Sequence, residues 1–233
     1  MSLAHGNRPI VTDGLVLCLD AANSRSYSGT GTDWFDLSGN GNDATLVNGV
    51  GYSADNLGYL SFDGVDDYTE SAEITPTYFT LSCWYKATGV PARNDDFGGV
   101  LVASSEQLPV QYFLSHSWIN QNVRLIVQSN SARIETGLNT ILNNITHNIA
   151  ATYDGVNRKI YHNGVLVAES SWSTDPVYPT SGNVNVKIGK WGYTSTYERN
   201  FNGNIYNASI YNRALTAEEV QQNFNAMRGR YGI

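Results

Sequence analysis

Apolar residues recur at every second position in one stretch of this chain after another. Phe79, Leu81, Cys83 and Tyr85 alternate with Thr80, Ser82, Trp84 and Lys86. Successive side chains of a β-strand point to opposite faces, so this window predicts a strand with its first set of residues in a core. The same period returns in Val123, Leu125 and Val127, in Ile145, His147, Ile149, Ala151 and Tyr153, and in Val184, Val186 and Ile188. Between such windows stand 25 Asn and 22 Gly, the residues that tolerate the backbone angles of tight turns. The sharpest case is Ile160-Tyr-His162, then Asn163-Gly164, then Val165-Leu-Val167. Asn-Gly accommodates the two positive φ angles of a type I′ turn, which predicts a β-hairpin.

One helix is predicted, and it comes last. Thr216 followed three residues later by Glu219 forms a capping box; Val220, Phe224 and Met227 make one apolar stripe, and Gly229 supplies a stop. Many short strands, no strand–helix alternation and a terminal helix predict an all-β fold: a two-sheet antiparallel jelly-roll sandwich with one short C-terminal helix. With 233 residues, 41% of them hydrophobic, the chain can bury a large core. It reads as a single domain over residues 1–233, with its core from about 10 to 227 and short terminal tails. Cys18 and Cys83 both sit inside apolar runs, which favours buried free thiols over a disulfide.

Charge narrows the partners. The formal net charge is -7, and the 14 Lys and Arg form no run, so the basic stripe that neutralises phosphates is missing and nucleic acid is not expected. The apolar run from Gly14 to Leu19 ends at Asp20, too short to span a membrane and poorly placed for a signal peptide. Neither a membrane partner nor export is expected.

Longer stretches, taken in order, carry a family resemblance. They are Gly14-Leu-Val-Leu-Cys-Leu-Asp20, Asp36-Leu-Ser-Gly-Asn-Gly-Asn-Asp43, Leu60-Ser-Phe-Asp-Gly-Val-Asp-Asp-Tyr68, Ala151-Thr-Tyr-Asp-Gly155, Tyr161-His-Asn-Gly164, Phe201-Asn-Gly-Asn-Ile205 and Ile210-Tyr-Asn-Arg-Ala-Leu-Thr-Ala-Glu-Glu-Val220. The chain resembles laminin-G-like domains of the concanavalin A-like lectin/glucanase superfamily. Its opening at Ile10 and its close at Asn225 to Tyr231 resemble virion structural proteins of tailed phages from marine and freshwater bacteria. One departure is visible: Thr146 precedes His147, where the family often has Trp. The resemblance implies a non-enzymatic recognition or structural module in a virion assembled in the host cytoplasm. Its implied partners are cell-surface glycans or other virion proteins, with room for a homo-oligomer; the alternative is a purely architectural protein without a ligand.

A retaining glycosidase needs two carboxylates about 5 to 5.5 Å apart, but Glu70 and Glu73 have odd spacing and fall on opposite faces of a strand. His5, His116, His147 and His162 lack zinc-site spacing, and His147 is expected to be a packed core residue. Asp36, Ser38 and Asn40 followed by Gly41 repeat the opening of a calcium loop, although its twelfth position is Val47. Structural calcium is common in laminin-G-like relatives. It would here be held by Asp36, Asn40 and Asp43 with Asp63, or with Asp66 or Asp67. The competing reading is an Asn-Gly turn that caps its own backbone. For sugar stacking the candidates are Trp191, Tyr193, Tyr197 and Arg199 of one loop and Trp118 of another, set against the alternative that these rings cover the sandwich edge.

Overall fold

The computed structural model describes residues 8–55, 58–90, 97–103, 112–127, 133–172, 185–191 and 199–233. Two antiparallel eight-stranded sheets form the sandwich. The first runs β14 (Val165–Ser171), β13 (Asn157–His162), β12 (His147–Tyr153), β7 (Phe79–Ala87), β18 (Asn202–Tyr211), β5 (Tyr59–Asp63), β4 (Gly51–Ser53), with β1 (Leu15–Asp20) also paired to β18. The second runs β11 (Arg133–Glu135), β10 (Asn122–Val127), β9 (Tyr112–Ser117), β8 (Phe97–Ala103), β15 (Asn185–Ile188), β6 (Tyr68–Glu73), β3 (Ala44–Val47), β2 (Asp33–Trp34). A two-stranded ribbon, β16 (Lys190–Trp191) and β17 (Arg199–Asn200), completes the strands, and α1 spans Ala217–Tyr231.

The alternation does what it predicts on the inner face. Phe79, Leu81, Cys83 and Tyr85 are each fully buried and join Leu114, Leu125, Ile149 and Val186 in one core between the sheets. Ile145, by contrast, lies before β12 and is exposed, while Val184 falls outside the described residues. The Asn163-Gly164 turn has φ of 50° and 78°, as the hairpin requires. Both cysteines are free and buried, and apolar surroundings push the Cys18 thiol up to about 11.

The outer face of the first sheet differs from a simple alternation. Trp84, on the side opposite the core, is also buried, because α1 packs across that face. Its ring stacks with Phe224 (centroids 5.6 Å, planes 7° apart) and with Tyr231 (4.3 Å, 28°). The capping box of Thr216 and Glu219 forms as expected. The expected stop at Gly229 does not: the helix continues to Tyr231 and closes at Gly232 with φ 72°. That last turn is what brings Tyr231 onto Trp84, so apolar contact outweighs the weak helix preference of a glycine.

Candidate functional site

Trp118 and Trp191 reach different faces of the second sheet. On β9, Tyr112 and Leu114 face the core and Phe113 faces outward. Trp118 follows at the rim, half-buried and packed against the core. Trp191 lies on the outer face with Phe113 (5.2 Å) and Ile126, only 6% exposed. The Arg199 guanidinium covers its ring at 4.9 Å, a cation–π contact. The β16–β17 ribbon can lie this close because Gly99 has no side chain: a Cβ there would stand 2.8 Å from the Lys190 carbonyl carbon. The structure therefore brings Trp191 and Arg199 together as a packed pair and does not join them to Trp118. Tyr193 and Tyr197 lie outside the described residues.

Around Trp118 two loops are laced together. The Asn143 side-chain amide donates to the Trp118 carbonyl (2.8 Å), the Asn139 amide N–H to the Asn120 carbonyl (2.9 Å), and the Ile141 N–H to the Gln121 carbonyl (2.9 Å). Behind this rim, buried His116 stands between the Tyr85 hydroxyl (3.1 Å) and Asn143 Oδ1 (2.9 Å). The outcome is a rigid edge on which Ile119 and Leu138 are 67% and 68% exposed beside amide groups. His147, expected in the core, is buried; it bonds the Leu142 carbonyl through Nε2 (2.8 Å) and His162 Nε2 through Nδ1 (2.9 Å). Nε2 donates to the carbonyl, and in the neutral rings favoured by the lowered pKa values Nδ1 accepts from His162 Nε2–H. Burial lowers His147, and burial together with the facing ring lowers His162 to about 4.

The metal candidates fall into two groups. In the turn from 36 to 43, Asp36 accepts from the Cys18 N–H (2.8 Å), the Ser38 N–H (2.9 Å) and hydroxyl (2.6 Å), and the Asn42 N–H (3.1 Å). Asp43 accepts from the Asp36 N–H (2.7 Å), and Asn40 donates its side-chain amide to the Leu15 carbonyl (3.0 Å). These groups are committed to the protein's own backbone. Asp63, Asp66 and Asp67 instead bring one carboxylate oxygen each within 4.8 Å of the others. Burial first, then the charges of Asp63 and Asp66, push Asp67 upward. Asn200, buried and bonded through its Nδ2 to the Val65 carbonyl of the same turn, has an Oδ1 with no partner among the described residues. Three clustered carboxylates, all hard oxygen donors, fit a divalent cation there, and the 36–43 turn does not offer that fit.

The sequence from 61 to 221 matches the family described as the concanavalin A-like lectin/glucanases superfamily, more than half of the chain. The chain belongs to this superfamily. It has no sequence match among curated proteins. In fold it is similar to the binding domain of Paraclostridial mosquitocidal protein 1 (TM-score 0.69, 18% identity, 92% of this chain and 52% of that one). It is likewise similar to domain 4 of AbnA, an extracellular arabinanase of Geobacillus stearothermophilus solved with arabinotriose (0.66, 17%, 90% and 97%). A third is a Trypanosoma rangeli sialidase mutant (0.65, 19%, 96% and 34%). The chain thus spans about half of the toxin domain and a third of the sialidase. At these identities the likeness is one of fold.

Proposed function

We propose that this chain is a non-enzymatic recognition module that binds carbohydrate through the rim around Trp118, and that it serves as a virion structural protein of a tailed phage contacting host surface glycans. The observation that carries the binding reading is the laced rim itself: a fixed edge offering a half-buried indole, exposed Ile119 and Leu138, and amides able to meet hydroxyl groups. Superfamily membership and the likeness to binding domains support it. The virion assignment rests on the sequence resemblance alone. A structural calcium belongs to the proposal at Asp63, Asp66 and Asp67, where it would supply countercharge and hold the turn.

A second reading, an architectural virion protein without ligand, is favoured by Trp191, whose ring serves packing. Retention on host polysaccharide separates the two. Trp118→Ala should abolish retention with the fold intact; retention unchanged by that substitution, or absent in the parent protein, leaves the architectural reading in possession. Trp191→Ala should instead lower stability by about 3 kcal/mol, as for other buried Trp truncations.

A further inference from the structure

A cavity of about 290 Å³ opens where the end of α1 meets the outer face of the first sheet; Trp118 does not line it, although Asn144, next to Asn143 of the Trp118 rim, does. Its lining unites Lys86 of β7, Thr146 ahead of β12, Tyr206 of β18, and Arg230 and Tyr231 of the last helical turn. This volume matches the lower end of small-molecule pockets.

The charges in it are unbalanced. Lys86 is half-buried and has no ion-pair partner among the described residues. Arg230 meets both carboxylate oxygens of Asp20 through one nitrogen, Nη1, at 2.9 and 2.8 Å. That side of Arg230 belongs to a neighbouring cavity lined by Asp20. Its guanidinium also faces the Tyr231 hydroxyl, and no second carboxylate pairs with it among the described residues, although guanidinium groups favour two-pronged pairing with carboxylates. Two cations against one carboxylate leave a local charge of one positive unit in a chain whose formal net charge is -7.

The neutral groups point the same way. The Tyr231 hydroxyl is buried beside the Arg230 guanidinium, and burial raises its pKa and keeps it protonated. The Thr146 hydroxyl reaches the Tyr206 hydroxyl at 3.4 Å. Tyr206 and Tyr231 meet edge to face at 5.2 Å, giving an apolar wall. We infer that this cavity binds one monoanionic saccharide unit, its carboxylate between Lys86 and Arg230, its hydroxyls on Tyr206 and Thr146, and its ring against the Tyr231 wall. The saccharide part rests on the recognition reading above; the carboxylate part rests on the charges alone.

The test is titration of the full chain, followed by amide chemical shifts, with D-glucuronate, methyl glucoside and acetate. Glucuronate is expected to shift residues around Lys86 and Tyr231 and to bind about tenfold or more tightly than either other probe. Lys86→Gln, at an unpaired surface position, should weaken glucuronate by about tenfold while Trp118→Ala leaves it unchanged. Arg230→Lys, which keeps the Asp20 pair but loses the fork, should weaken it as well. Glucuronate binding equal in the parent and Lys86→Gln, or absent, overturns the inference; acetate binding as tightly as glucuronate overturns its saccharide part. Failure of the rim reading looks different, since polysaccharide retention would then ignore Trp118→Ala while the Lys86 effect stands.

Discussion

Two acidic turns, 36–43 and 63–67, are built from the same kinds of residue and end in opposite electrostatic states. In the first, four donors converge on the Asp36 carboxylate and a fifth is answered by Asp43. In the second, Asp63 accepts from the Val65 N–H and Asp67 from the Asp63 N–H, while the three carboxylates stay close together. A carboxylate saturated by backbone donors acts as a staple; carboxylates that mainly face one another await a cation. Hydrogen-bond accounting separates the two where residue pattern does not.

Asp36→Ala should destabilise by about 2 to 4 kcal/mol, because it strands the Cys18 and Asn42 N–H groups at once. Its unfolding midpoint should fall equally in calcium and in chelator; a calcium-dependent loss would move the cation to the wrong turn. Calcium at about a hundred times its dissociation constant should stabilise the parent by up to about 2.7 kcal/mol, and Asp67→Asn should remove that gain.

Acidity sharpens the contrast further. Asp67 has a raised folded-state pKa, so the folded chain holds its proton more tightly than the unfolded one, and its contribution grows as pH falls toward the unfolded carboxyl value. Without calcium, Asp67→Asn should therefore melt slightly above the parent at neutral pH, by less than about 1 kcal/mol. The histidine pair runs the other way. His162, lowered to about 4, contributes stability in full above its ordinary value of 6.5, and loses it as pH falls from there toward 4. His162→Gln should flatten that acid limb in melts from pH 7 to 4; an unchanged limb would mean the rings open before they titrate.

Strands and hairpin were legible because alternation and Asn-Gly act within a few residues: the inner face of β7 and the 163–164 turn follow directly from them. Trp84 was assigned to the outward face correctly, but its burial depends on α1, some 140 residues away, which no local period encodes. Trp191 reads from sequence as either a sugar platform or an edge-packing ring, because an indole in a Gly-rich loop looks alike whether it stacks on a ligand or on Phe113. The Asp36 turn shows the opposite problem, since oxygens with calcium-loop spacing also have amide-capping spacing. Lys86, Arg230 and Tyr231 carried no sequence signal, because their convergence is made by one helical turn beyond the expected stop at Gly229.

The place of β18 has a consequence for how the chain is made. This strand lies between β7 and β5 and pairs along its second half with β1, so the Asn207 side chain reaches the Leu19 carbonyl across 188 positions. Everything emerging earlier from a ribosome holds a first sheet with its middle missing, and ladders of such long separation close slowly. Until Tyr211 clears the exit tunnel, β1, β5 and β7 present open edges to one another and to other nascent chains. Assembly of this sandwich thus waits for β18, and chaperone demand should fall on the waiting strands.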